Sequence, residues 1–300
     1  MTKFYAKVDS YNMTTYDTNT LSVLLKDDTR KTLRIDETLP VKEGEVYHFE
    51  CEWIDFKGKD QYLVKTYTHI TDMNLSLEDE QDAMRAFYHY SPVPTKATKK
   101  TIEEALKSIE NKTIYEITKH LFEQYEQQFY RYPAATRFHH AYIGGVAHHT
   151  ATMLKLVDGF VQTYPYLNKD LLNSGIILHD LFKVVELSNH YSPEYTKEGR
   201  LIGHLAMGVE YIGKSANELN LYDTEERLML QHMVLSHHYY GNFGSPKKPN
   251  IPEALALHFI DNIDSKFAVL GEALEKIEPG EFTQSLGVLD RERYYKSKLK

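Results

Sequence analysis

Histidines and aspartates stand at five separated points in the second half of the chain: His149, His179-Asp180, His204, His237-His238 and Asp261. Each lies in or beside an apolar stretch, as in GIILHDLF over residues 175–182. Imidazole and carboxylate are costly to bury alone, so each needs a compensating partner. A shared metal centre supplies one. Any fold that builds it must bring five distant segments to one place.

The spacing of apolar residues says what those segments are. From Thr101 onward the pattern is helical, with Ile114, Ile117 and Leu121 on one face. Thr101-Ile-Glu-Glu104 has the form of a capping box, which predicts a helix start there. Tyr132-Pro133 ends the helix that follows. Further helices are expected over roughly 140–160, 168–187, 202–218, 224–238 and 251–275. Adjacent residues on a helix point about 100° apart, so His179 and Asp180 reach one centre only if other elements converge on it. A helical bundle can aim side chains in this way.

Residues 1–75 read differently. Short runs such as FYAKV, LSVLL, TLRID, VYHFECEWI and YLVKTYTHI predict five strands. Phe56-Lys57-Gly58-Lys59-Asp60 between the last two reads as a hairpin loop. Five short strands suit a small closed barrel, which leaves no exposed edge. An OB-type barrel is expected, with an SH3-like barrel as its rival. Residues 76–100 are polar, hold Pro92 and Pro94, and read as a linker with a short helix over 77–88. The expected architecture is therefore a multidomain α and β chain: a β-barrel at 1–75, a linker, and an all-α domain at 101–300.

Composition narrows the chemistry. The only cysteine, Cys51, excludes an intramolecular disulfide and a cysteine-rich zinc knuckle, so metal ligands must be nitrogen and oxygen. Mixed imidazole and carboxylate donors without thiolate suit Mn²⁺, Fe²⁺, Co²⁺ or Zn²⁺, rather than Ca²⁺. Two ions are expected, Mn²⁺ before the others, with Mg²⁺ a further alternative. Asp180 is the natural bridge between two such ions, because a carboxylate has two oxygens. Paired cations of this kind suit phosphoester hydrolysis. A net charge of −8 argues against a uniformly basic coat but leaves room for a local basic groove. MTKFYAKVDS lacks the apolar core of a signal peptide and no apolar run approaches a membrane span, so a cytoplasmic protein is expected. The basic segment DRERYYKSKLK reads as a solvated helix end, or as a phosphate-contacting extension.

The ordered set resembles the HD-domain phosphohydrolase superfamily on His149, His179-Asp180 and Asp261. The resemblance implies that His204 and His237-His238, with His237 the safer ligand, supply a second metal. It also implies that Lys183, in the HDxxK form, contacts the scissile phosphate or assists the leaving group. Asp264 is expected to cap or to form a salt bridge, and His258, His232 and His120 to be structural. PAATRFHHAYIGGVAHHT (133–150), HHYYGNFGSPKKP (237–249) and ALALHFIDNIDSKF (254–267) look like motifs of the bacterial YhaM family of 3′–5′ exoribonucleases. Those proteins join an N-terminal OB-fold to an HD domain.

This second resemblance implies hydrolysis of single-stranded RNA from its 3′ end to nucleoside 5′-monophosphates, with single-stranded DNA as a further substrate and a homo-oligomer as the assembly. His139 and His140 would lie near the substrate or behind the metal ligands. Gly144-Gly145 would allow close backbone approach before His149. Lys247 and Lys248 would meet the RNA backbone. Trp53, Phe56 and Tyr62, flanked by Lys57 and Lys59, are the candidate base-stacking set, since OB-folds bind single strands on aromatic platforms. Two rival readings are a hydrolase of small nucleotides and a non-catalytic RNA-binding protein. HHYYGNFGSP lacks the GYP element expected of a cyclic-dinucleotide enzyme.

Overall fold

The computed structural model describes residues 1–12, 19–35, 39–56, 58–135 and 140–299, apart from the side chains of residues 56, 59 and 60. The chain forms two compact units, Met1–Tyr90 and Ser91–Lys300.

The first unit is a barrel of β1 (Thr2–Asn12), β2 (Asn19–Leu24), β3 (Arg30–Ile35), β4 (Val46–Phe56) and β5 (Lys59–His69). It closes in the order β1-β2-β3-β5-β4. All neighbours are antiparallel except β3 and β5, which pair in parallel through Leu33–Tyr62 and Arg34–Leu63. A five-stranded barrel of this Greek-key order is of OB type, which decides against the SH3-like alternative. Period-two alternation fills its interior with Ala6 and Val8, Leu21 and Val23, Leu33 and Ile35, and Tyr47, Phe49 and Cys51. Burial pushes the Cys51 thiol up to about 11, so it packs as an inert apolar group.

The β4–β5 strands run to Phe56 and resume at Lys59, a tighter hairpin than residues 56–60 implied. Gly58 takes a positive φ of 74° there and its N–H donates to Asp55 Oδ1 at 2.8 Å. Asp27 shapes the β2–β3 turn in the same way, accepting from the N–H and hydroxyl of Thr29. These acidic residues build turns.

The expected linker divides between the units. Helix α1 (Leu77–Met84), capped by Ser76, lies in the first, and α2 (Thr95–Lys107) opens in the second. The helix start expected at Thr101 is therefore corrected. Pro94 occupies the N-cap, and Thr101 sits mid-helix with its hydroxyl donating to Ala97 O at 3.2 Å. The first turn of α2 is polar and its inward face begins with Thr98, before Ile102 and Leu106, which hid the period.

The second unit continues with α3 (Lys112–Phe129), α4 (Gly145–Thr163), α5 (Lys169–Leu178), the single turn α6 (Lys183–Glu186), α7 (Lys197–Leu201), α8 (Gly203–Glu218), α9 (Glu225–Ser236) and α10 (Pro252–Glu275). Among the described residues, no helix is long and apolar enough to cross a membrane. The basic C-terminal segment folds back on α10: Phe282 bridges Tyr295, and Lys296 Nζ donates to Leu274 O and Ile277 O. A cation there complements the carbonyl end of the helix.

Candidate metal centre

Helix ends deliver most of the donors. His179 is the C-cap of α5 and His237 the C-cap of α9. A helix C-terminus leaves carbonyls without intrahelical partners. Each histidine uses one: His179 Nδ1–H donates to Ile176 O at 2.7 Å, and His237 Nδ1–H to Val234 O at 2.8 Å. His238 Nδ1–H likewise donates to Phe243 O at 2.6 Å. A carbonyl only accepts, so each Nδ1 carries the proton and each Nε2 is left to present its lone pair. Carboxylates do the same for the other two. His149 Nδ1–H donates to Asp264 Oδ2 at 2.6 Å, and His204 Nδ1–H to Glu186 Oε1 at 3.0 Å. Fixing one ring nitrogen in order to aim the other is how proteins orient metal-ligating histidines.

The aimed atoms form two groups, each able to hold a cation: His149, His179 and Asp261, and Asp180, His204, His237 and His238. In the first, His149 Nε2 lies 3.2 Å from Asp261 Oδ1 and 3.3 Å from His179 Nε2. In the second, Asp180 Oδ1 lies 3.5 Å from His204 Nε2 and 3.9 Å from His237 Nε2. Two donors each about 2.1 Å from one tetrahedral ion would stand about 3.4 Å apart. Asp180 Oδ1, His204 Nε2 and His237 Nε2 are buried without a hydrogen-bond partner among the described residues. Three orphaned polar atoms converging in one buried place are costly unless a cation joins them. The donors fit the group.

Asp180 joins the two groups. Its Oδ2 lies 3.4 Å from His179 Nε2 and 2.7 Å from Lys183 Nζ, while Oδ1 faces His204 and His237. Burial alone would raise its pKa, yet Lys183 and His179 hold it well below the usual carboxylate range. Burial likewise works against the Lys183 ammonium, and Asp180 raises it. Burial, with His238 and His179 beside it, pushes His237 well down, and burial with His204 pushes His238 down to about 4. Both therefore stay neutral and able to ligate. His149 is the exception: burial opposes its charge, but the hydrogen bonds to Asp261 and Asp264 carry it up to about 9.

A third trio, His140, His149 and Asp264, also clusters, but it is internally satisfied. Asp264 Oδ2 accepts from His149 Nδ1–H and, at 2.7 Å, from His140 Nε2–H. His140 Nδ1 then accepts from the Tyr142 hydroxyl at 2.6 Å, and that oxygen accepts from His148 Nδ1–H at 2.6 Å. The chain of bonds locks the ring of His149. His140 thus stands behind a ligand candidate; His139 lies outside the described residues. The Gly144-Gly145 pair does allow a close approach: Gly144 has φ 79°, and a Cβ on Gly145 would come 2.0 Å from His140 O.

Of the remaining expected residues, Lys247 and Lys248 are exposed, and Lys248 Nζ lies 5.0 Å from the Tyr239 ring. His232 and His120 make hydrogen bonds away from the donor groups, to Asn250 N–H and Ser215 Oγ, while His258 bonds the backbone carbonyl of His237 and offers no atom to either group. On the barrel, Trp53 is 55% exposed and its ring centroid is 4.1 Å from that of Tyr62. Lys31 Nζ lies 4.6 Å from the Tyr62 ring. The Phe56 side chain and Lys57 lie outside the described residues, as does the Lys59 side chain.

Residues 145–266, which contain the whole donor set from His149 to Asp261, match the HD domain model. The chain is 41% identical over 260 residues to "3'-5' exoribonuclease YhaM" of Bacillus pumilus (strain SAFR-032), covering 87% of this chain and 78% of the relative. It is 43% identical over 244 residues to the protein of that name in Geobacillus sp. (strain WCH70), covering 81% and 72%. For the one in Bacillus subtilis (strain 168) the values are 38% over 261 residues, 87% and 78%. The chain belongs to the YhaM family of 3′–5′ exoribonucleases. As a YhaM-family protein with an HD domain it is a hydrolase of the metal-dependent phosphohydrolase class.

One residue of this YhaM-family site, Glu186, carries no expectation from the sequence, although Asp180, Lys183 and Glu186 recur at three-residue steps. Burial would raise its pKa, but the hydrogen bond from His204 keeps it low and ionised. Asp264 forms the expected salt bridge, and its partners are His149 and His140.

Proposed function

We propose that this protein is a metal-dependent exoribonuclease that hydrolyses single-stranded RNA from the 3′ end to nucleoside 5′-monophosphates. The observation that carries this reading is the two-faced Asp180, with one oxygen toward each donor group. His149, His179, Asp180 and Asp261 would hold one divalent cation, and Asp180, His204, His237 and His238 a second. The nitrogen and oxygen donor set suits Mn²⁺, Fe²⁺, Co²⁺ or Zn²⁺, and Mn²⁺ is the ion proposed. Bound cations would lower the pKa of a water and neutralise charge on the phosphodiester.

The chain's own residues do the rest. Glu186 and Asp264 hold His204 and His149 in the ligating tautomer. Lys183, kept protonated by Asp180, offers a fixed positive charge to the phosphate or the leaving oxygen. Lys247 and Lys248 attract the RNA backbone. The barrel adds affinity for the single strand through Trp53 and Tyr62, with Lys31 beside them.

A cytoplasmic, homo-oligomeric enzyme completes the proposal, and single-stranded DNA is a second substrate to test. Incubation of 5′-labelled single-stranded RNA with the protein and Mn²⁺ gives a ladder shortened from the 3′ end. An unshortened RNA with Mn²⁺, Co²⁺, Fe²⁺, Mg²⁺ and Zn²⁺ each supplied would overturn the reading. The same gel run with DNA measures sugar preference, and light scattering measures the assembly.

A further inference from the structure

The loop that follows His237-His238 has an unusual backbone. Tyr239 takes φ 65°, and Tyr240 N–H donates to His238 O at 2.7 Å. That closes a γ-turn of the positive-φ kind, which is rare and strained for a bulky residue. Strain of this sort persists only where the surroundings over-determine it, and it gathers at ligand-handling sites.

The surroundings are visible. Tyr239 lies between His258, at 5.0 Å between ring centroids, and Lys248 Nζ, at 5.0 Å from its ring. His238 Nδ1–H holds Phe243 O at 2.6 Å, so the loop is tied back onto a donor of the metal centre. A Cβ on Gly244 would come 3.4 Å from Leu205, the neighbour of His204, which fixes the loop beside the second donor group.

The turn leaves two aromatic rings uncovered. Tyr240 is 51% and Phe243 63% exposed, with centroids 6.0 Å apart. Large apolar groups exposed together beside a polar centre mark a binding surface. Their surroundings select the ligand. Residues 237–252 contain no acidic side chain and present Lys247 and Lys248 after the aromatics. Flat apolar faces with a cationic flank suit a nucleobase attached to a phosphate.

We infer that Tyr240 and Phe243 form a stacking shelf for the 3′-terminal nucleobase of the RNA, one sugar away from the phosphodiester held at the metal centre. This rests on the exoribonuclease reading. His238 couples the two: the nitrogen that anchors the shelf and the nitrogen that faces the metal site belong to one ring. The barrel aromatics Trp53 and Tyr62 are a different surface, in the other compact unit.

The test uses the full-length protein, one RNA oligonucleotide with an ordinary 3′ end, and the same oligonucleotide with an abasic 3′-terminal ribose. The wild-type protein is expected to show a KM roughly tenfold lower for the ordinary end, a stacking effect of common size. Tyr240→Ala should erase that difference, and Tyr240→Phe, which keeps the ring, should retain it. Equal KM values for both oligonucleotides in the wild type would overturn the shelf, as would undiminished discrimination in Tyr240→Ala. Fluorescence-anisotropy binding of the two oligonucleotides in Ca²⁺ separates the two claims. Base-dependent binding in Ca²⁺ with no degradation in Mn²⁺ keeps the shelf and removes the nuclease; degradation in Mn²⁺ without base dependence does the reverse.

Discussion

His149 Nε2 and His179 Nε2 face each other at 3.3 Å, with both Nδ1 atoms already engaged by Asp264 and Ile176 O. Two imidazole lone pairs do not approach so closely unaided, so a positive charge must stand between them. Without metal it is a proton on His149, shared with Asp261 at 3.2 Å. With metal it is the cation. Proton and cation therefore compete for one place.

The pH dependence of metal binding follows from that competition. His149 is held up to about 9 by Asp261 and Asp264 against the opposing effect of burial. Near neutral pH, cation binding must expel this proton, so affinity should rise from pH 7 to pH 9. Titration calorimetry in buffers of different ionisation enthalpy should show proton release approaching one per cation at the first site. Release that is absent at pH 7 contradicts the proton's placement.

Stability of the metal-free protein should respond in the opposite sense. The raised pKa of His149 stabilises the fold fully below its unfolded value, about 6.5, and that contribution is lost as pH rises through about 9. Asp264 is depressed: burial would raise it, but His140 and His149 hold it down. Its contribution is present above the unfolded carboxylate value, about 4, and lost as pH falls below it. Thermal melts in chelator should therefore peak between these limits. Added Mn²⁺ at 100-fold over Kd should stabilise by about 2.7 kcal/mol and extend the plateau upward.

Asp180→Asn should abolish RNA hydrolysis. The amide cannot bring negative charge to both donor groups, and it leaves Lys183 without its ion pair. Breaking one side of a buried ion pair costs about 3–5 kcal/mol, so the fold should survive with a lower melting temperature. Metal analysis should find less than the wild-type content. Retained turnover would remove Asp180 from the bridging role.

The clustering of these histidines and aspartates was legible because an ionisable side chain beside a continuous apolar run, as at His179-Asp180, needs a partner. Glu186 was not, nor were the partners of Asp264, since a carboxylate that accepts from an imidazole Nδ1 has the same helical spacing as any surface acid. The capping-box pattern at Thr101 failed because Thr-x-x-Glu also occurs mid-helix, where the hydroxyl turns to the carbonyl four residues back. Alternation gave the strands, but the parallel β3–β5 pairing that closes the barrel lies in no local pattern. Trp53 keeps the inward parity of Phe49 and Cys51, yet it is 55% exposed because β4 outruns the core layer. Period alone would have buried it.

Asp264→Asn and Glu186→Gln test whether the residues behind the ligands set metal affinity. Each substitution keeps an acceptor oxygen for the histidine but removes the charge that holds it. Loss of such a partner weakens metal binding by about 10–100-fold. The two should differ in which cation they release, because Asp264 supports His149 in the first group and Glu186 supports His204 in the second. Mn²⁺ titration followed by electron paramagnetic resonance should then show one weakened site in each variant and two in the double variant. Activity in either single variant should recover at high Mn²⁺, which a misfolded protein would not do. Loss that no concentration of metal restores would assign both carboxylates to structure alone.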